Sequence, residues 1–176
     1  MQPQHRCAGG SRTEIRRMDL QIGGINAMIN FRKITEDNFD AIVKMNCRDG
    51  EKFVASNVRL LAQAWLYRDN GDVFPFAIYN DDTVVGFMLL EEDAGEDKLM
   101  LWRMMIALEQ EGKGYGNEAV KRLIALAAES KKYEALYLDC NIHNSIAKHI
   151  YEKNGFVPTE DINHGDMEMK YQLRDR

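Results

Sequence analysis

A phenol, an amide and a run of alternating glycines are the groups in this chain best suited to chemistry. Glu111-Gly112-Lys113-Gly114-Tyr115-Gly116 ends an apolar, strand-like run over 100–108 and opens an amphipathic helix. Alternating glycines let backbone N–H groups approach an anion without interference from Cβ atoms, and the following helix turns its positive dipole end toward the same point. Lys113 adds a cation. The segment reads as a phosphate or pyrophosphate cradle, although glycine-rich turns between strand and helix also arise for steric reasons alone. A Walker loop is excluded, because Gly116 is followed by Asn117 and Glu118 instead of Lys and Ser or Thr. A dinucleotide loop is excluded by the glycine spacing, even though Asp139 would supply its acid.

The second group lies downstream, in 144–156. Asn144 and Tyr151 are about two helical turns apart, so they share a face with Ala147 between them. An amide and a phenol flanking a small residue make a groove for a slim, polar chain. Asn144 can equally serve as the cap of that helix, and Tyr151 as a core phenol.

Taken together, these segments resemble the GCN5-related N-acetyltransferase (GNAT) superfamily. Its pyrophosphate loop reads Gln or Arg, two residues, Gly, any residue, Gly or Ala, matched here by Glu111, Gly114 and Gly116. Its later signature falls on Asn144, Ala147, Tyr151, Gly155 and Phe156, and the similarity extends over about 28–173. The resemblance implies acetyl-coenzyme A as cosubstrate and no metal. It places coenzyme contacts at Ile106, Ala107 and Leu108, at Glu111, Gly112, Lys113, Gly114, Tyr115, Gly116 and Asn117, and at Asn144, Ala147, Lys148 and Tyr151. Tyr151 is the implied catalytic acid for the departing sulfur. Glu111 departs from the family pattern, since a carboxylate repels pyrophosphate; it is expected to turn outward and leave the anion to the amides and Lys113.

The elements that must hold these residues are set by periodicity. Ile29 to Lys33 alternates as a strand. Thr35 and Asn38 introduce a helix with Phe39, Ile42, Val43 and Met45 inward, and a second helix over 56–68 turns Val58, Leu61, Ala62, Trp65 and Leu66 to one face. Strands at 74–79 and 83–90 flank an Asn80-Asp81-Asp82 turn, and 100–108 forms a central strand. A third helix buries Val120, Leu123, Ile124 and Ala127; with the strand at 135–140 it completes a right-handed βαβ unit. The helix of 144–154 precedes a hairpin of 156–161 with 166–173. With this order of elements, the resemblance implies an α/β (α+β) fold, a mixed, mostly antiparallel GNAT-like sheet flanked by helices around a βαβ coenzyme-binding core. In the family the strands before the two signature segments splay apart and admit the pantetheine arm.

Composition agrees with one domain over 28–176. The chain has 176 residues, 45% of them hydrophobic, enough for a core without metal or disulfide. Cys7, Cys47 and Cys140 show no metal-ligand spacing, and a reduced cytoplasmic setting is expected. Residues 1–27, with arginines among glycines and small polar residues, read as a disordered tail. Neither a nucleic-acid partner nor membrane insertion is expected; a homodimer is compatible with the family.

Within the superfamily the stretch 101–116 and the segment 163–169 most resemble bacterial spermine/spermidine acetyltransferases. The formal net charge of -5 suits a polycationic acceptor. Glu91 and Glu92, near a strand end, and Trp102 are the expected acceptor residues, with a solvated loop the alternative for the two glutamates. Another amine acceptor (an aminoglycoside, an amino acid or a protein N-terminus) and a non-catalytic coenzyme A sensor remain open.

Overall fold

A computed structural model describes residues 29–48, 55–93, 95–163 and 165–174. The tail expected over 1–27 lies outside them. In chain order the elements are β1 (Ile29–Lys33), α1 (Glu36–Lys44), α2 (Asn57–Leu66), β2 (Val73–Asn80), β3 (Thr83–Asp93), β4 (Lys98–Ile106), a 3-10 turn (Leu108–Gln110), α3 (Tyr115–Ser130), β5 (Ala135–Asn141), α4 (Ser145–Lys153), β6 (Val157–Asn163) and β7 (Asp166–Gln172). Among the described residues the strands form one sheet of order β1-β2-β3-β4-β5-β7-β6. Every neighbouring pair is antiparallel except β4 and β5. This is the mixed, mostly antiparallel sheet that the resemblance implies.

Helices cover both faces, because the strands bury side chains on both. On one face α1 and α2 contribute Ile42, Leu60 and Ala64 to a core with Ala77, Phe87 and Leu89. On the other, α3 packs Val120, Leu123 and Ala127 against Ile78, Met88, Leu90, Leu99 and Leu136. No helix among the described residues is long and apolar enough to cross a membrane.

Two inward faces differ from expectation. In α1, Phe39 is half exposed while Asn38 is buried. Asn38 Oδ1 accepts the Thr35 N–H at 2.9 Å and its Nδ2 donates to the Lys33 carbonyl at 2.9 Å, so the helix start is tied to β1 by an amide instead of an aromatic ring. In α2 the buried line is Asn57, Leu60 and Ala64, whereas Val58, Trp65 and Leu66 are more than half exposed and Ala62 is exposed. The Asn57 Nδ2 donates to the Ile42 carbonyl at 2.8 Å. That bond fixes the rotation of α2 about one residue away from the apolar count, and Trp65 lies outside beneath the Arg68 guanidinium, 3.7 Å from its ring centroid.

The geometry that creates a site begins on β4. Leu89 pairs with Arg103 and Leu90 with Leu101, so Trp102 is an extra residue, a β-bulge. A bulge bends its strand and re-aims the residues beyond it. Pairing of β4 with β5 stops at Leu101 and Leu138, while β5 continues along β7 through Asn141. The strands therefore part beyond the bulge. Close approach of β3 to the outgoing half of β4 requires Gly86: a Cβ there would sit 2.5 Å from the Met105 carbonyl oxygen. Gly86→Ala is expected to cost about 2 kcal/mol by overpacking and lower the melting temperature by about 5 °C. A calorimetric scan checks this, and an unchanged melting temperature would contradict it.

Candidate active site

The glycine loop comes after the 3-10 turn and ends at Gly114, whose φ of 85° places it in the left-handed region as the N-terminal cap of α3. A side chain is disfavoured there by its own backbone. The first intrahelical bond in α3 runs from the Glu118 N–H to the Gly114 carbonyl. The amides of the first turn, at Tyr115, Gly116 and Asn117, thus precede the helical ladder and remain available to an anion.

This cradle forms one end of a cavity of about 490 Å³. Its walls are Met104, Met105 and Ile106 of β4, Tyr115 to Asn117 at the start of α3, and Asn144, Ile146, Ala147, Ile150 and Tyr151 at α4. An anion-receiving end joined to a largely apolar trough that enters a gap between strands fits a phosphate-tailed, flexible chain such as coenzyme A. Among the described residues no cluster of three or more His, Cys, Asp or Glu side chains is placed to hold a metal ion.

Strand pairing decides which backbone groups face that gap. The Ala107 N–H donates to the Val85 carbonyl at 2.9 Å, and the Leu108 N–H to the Asn46 carbonyl at 2.8 Å. Those two amides, expected to hold pantetheine, are already engaged. The expected strand end at Leu108 likewise falls back to Ile106, because the chain leaves the sheet to make these bonds. Antiparallel alternation instead turns the peptide groups of Met104 and Ile106 away from β3, toward the gap.

Of the side chains singled out from the sequence, Asn144, Ala147 and Tyr151 line the gap together. Asn144 also caps α4, its Oδ1 accepting the Ala147 N–H at 3.1 Å. Both readings of Asn144 are therefore compatible in one geometry. Tyr151 is 8% exposed and packs edge-on against Phe156, centroids 5.8 Å apart. Its hydroxyl makes no hydrogen bond to the described residues. Burial first, and then the neighbouring Cys140, push its pKa upward, with Arg103 opposing. The phenol is thus held protonated.

Lys148 and Lys113 turn elsewhere. Lys148 reaches Glu152 at 3.7 Å, Lys113 donates to Gln110 Oε1 at 2.9 Å, and neither lines the cavity. Glu111 does not turn outward either; its side chain is 22% exposed and binds Arg48.

A sequence model of the Acetyltransferase (GNAT) family matches residues 39–156, about two thirds of the chain. The chain belongs to this family. It is by that membership an N-acetyltransferase. Over 135 residues it is 27% identical to the spermine/spermidine N(1)-acetyltransferase of Bacillus subtilis strain 168, a match covering 73% of this chain and 87% of the relative. Its fold is similar to that of spermidine N-acetyltransferase from Vibrio cholerae, solved with CoA and spermine: TM-score 0.68 at 19% identity, covering 84% of this chain and 97% of that one. It is also similar to the PaiA N-acetyltransferase of Thermoplasma acidophilum, solved with coenzyme A: TM-score 0.61 at 20% identity, covering 82% and 98%.

In this GNAT domain a second, smaller cavity of about 60 Å³ opens on the same gap. It shares Met104, Asn144, Ala147 and Tyr151 with the first and adds Trp102, Arg103, Asp139 and Asp166. The acidic side has a structural origin. Asp139 on β5 is directly opposite Glu168 on β7, and Asn141 opposite Asp166. Like charges directly across antiparallel strands destabilise a sheet, and Arg103, on the wall of the same cavity, partly offsets the pair. Burial raises the Asp139 pKa above its ordinary value, Glu168 and Asp166 add to the rise, and Arg103 opposes it.

The acceptor residues expected from the sequence separate here. Trp102 lines this cavity and packs against Tyr67, the rings tilted by 39° with centroids 6.2 Å apart. Glu91 and Glu92 do not: they pair with Met100 and Leu99 toward the far end of β4, and Glu92 is ion-paired with Lys132. Antiparallel pairing explains the error, since the end of β3 meets the start of β4, away from the gap. Two carboxylates do reach it, Asp139 and Asp166; Asp139 is visible in the sequence as the acid closing β5, but only β7 pairing reveals its company.

Proposed function

We propose that this GNAT domain transfers acetyl from acetyl-coenzyme A to a primary amine of a polyamine, by direct attack within a ternary complex. The observation that carries the reading is the meeting of two unlike cavities at Tyr151: a glycine-capped trough on one side and a carboxylate-lined pocket on the other. Bound acetyl-coenzyme A supplies an activated thioester carbonyl. The outward peptide groups at Met104 and Ile106 hold the arm beside the sheet. Tyr151 donates a hydrogen bond to the departing sulfur. Its raised pKa favours a donor that keeps its proton over one that surrenders it, since a thiol has a pKa of about 8.5.

On the acceptor side, a primary amine of pKa about 10.4 costs roughly 4–5 kcal/mol to neutralise at pH 7. As the neutral nitrogen bonds to the carbonyl carbon its proton becomes acidic; Asp139 accepts it there and passes it to solvent, while Asp166, on the same wall, holds an ammonium group further along the acceptor. A polyamine suits the division because its charges are spread along the chain. The curated relative at 27% identity and the Vibrio cholerae structure, whose described complex contains spermine, support the same acceptor class. Arg103 in the pocket favours a second reading, an amine that also carries a carboxylate.

Initial rates test direct transfer. With acetyl-coenzyme A and spermidine varied together, double-reciprocal lines are expected to intersect; parallel lines would indicate an acetylated enzyme and contradict the scheme. The buried Cys140, with its pKa pushed up to about 11, offers no thiolate for such an intermediate. Cys47, on the wall of the larger cavity, would then be the residue to replace.

A further inference from the structure

The coenzyme reading leaves a gap in the phosphate end: the family position that carries Gln or Arg holds Glu111, and the nearby Lys113 is turned to Gln110, off the cavity wall. A cation nevertheless stands on that wall. It comes from the segment after α1, 63 positions away in sequence. Arg48 lines the cavity beside Glu111, Gly112 and Gly114.

Both oxygens of the Glu111 carboxylate are committed to it. Oε1 accepts the Arg48 backbone N–H at 2.7 Å, and Oε2 accepts Nε–H at 3.1 Å. The Leu108 N–H bond to the Asn46 carbonyl, 2.8 Å, fastens the same segment one step earlier. Three hydrogen bonds thus stitch 46–48 to 108–111. The two terminal guanidinium nitrogens have no partner among the described residues, and the Arg48 side chain is 68% exposed. A guanidinium held through Nε presents its remaining N–H donors as a preset fork, the geometry that matches phosphate oxygens.

Resting on the coenzyme A reading, we propose that Arg48 binds the coenzyme diphosphate and that Glu111 is its positioning residue, the pair doing from two segments what one Gln or Arg does in the family pattern. The pair is neutral, so its gain is directional hydrogen bonding more than net charge. Glu111 alone would repel the phosphates. Its contribution exists only through Arg48.

Binding to the full chain, free of any turnover, tests this. Titration calorimetry with coenzyme A and dephospho-coenzyme A, and ligand-observed NMR with pantetheine, are run on the wild type, Arg48→Ala, Glu111→Ala and the double variant. For Arg48→Ala the dissociation constant is expected to rise about tenfold for coenzyme A and equally for dephospho-coenzyme A, with pantetheine unaffected. Glu111→Ala is expected to weaken coenzyme A in the wild-type background and to be neutral or favourable once Arg48 is gone. An equal loss for pantetheine, a loss confined to the ligand with the 3′-phosphate, or additive single effects would overturn the assignment. Unchanged affinity in Arg48→Ala, with wild-type binding intact, would overturn this inference alone. Absence of wild-type binding would overturn the coenzyme reading with it.

Discussion

Replacing Tyr151 with Phe is expected to lower kcat by about 10²-fold, with little change in the Michaelis constant for acetyl-coenzyme A. The ring fills the space between Ala147, Phe156 and the strand gap, and Phe keeps that packing. Only the hydroxyl is lost. Because the hydroxyl has no hydrogen bond to the described residues, its removal leaves no orphaned partner in the fold, and the melting temperature is expected to hold. A hydrogen bond that strengthens as charge develops on sulfur acts on the transition state and not on the bound ground state, so its loss appears in kcat. Steady-state kinetics with a calorimetric scan separates the outcomes. An unchanged kcat would remove Tyr151 from the chemistry; a lower kcat accompanied by unfolding would mean that the phenol is structural.

Asp139→Asn is expected to lower kcat/KM for the amine by about 10²-fold at pH 7 while making the protein more stable there. Its folded pKa lies above its ordinary value of 3.8, so the folded state disfavours the carboxylate. That penalty is present above the folded pKa and disappears as pH falls below the ordinary value, where the folded and unfolded states are both protonated. Asn is neutral throughout. The variant is therefore expected to melt higher than the wild type at pH 7, and the advantage is expected to vanish on acidification. Opposite movements of activity and stability are the mark of a group kept for function at a cost to the sheet. Loss of both would make Asp139 a structural residue, and retention of activity would move the proton acceptor elsewhere.

The legible part of the site was its local part. The glycine loop and the Asn144, Ala147, Tyr151 face depend on spacing within one turn or one helix, and spacing is printed in the sequence. Strand and helix order was legible for the same reason, as was the Asp81-Asp82 turn, where Asp81 adopts a φ of 51°. Rotation of the early helices was not. It depends on Asn38 and Asn57, polar residues buried because they close hydrogen bonds to neighbouring elements, which an apolar count passes over. The engaged amides of Ala107 and Leu108, the Arg48–Glu111 clamp and the Asp139–Glu168 pair all join segments distant in sequence. Each needs the register of the sheet or the path of a loop before it can be seen. The bulge at Trp102, which opens the gap itself, belongs to the same class: nothing in Leu101-Trp102-Arg103 announces an extra residue.

Thiol release from acetyl-coenzyme A, measured across spermine, spermidine, short diamines, monoamines, aminoglycosides, amino acids and peptides, tests the central claim most directly. Saturable release with spermine and spermidine, above that with monoamines or amino acids, is the predicted result. Release confined to amino acids or peptides would contradict the polyamine acceptor, and silence across the panel, with coenzyme A binding demonstrated, would contradict transfer to any of these amines.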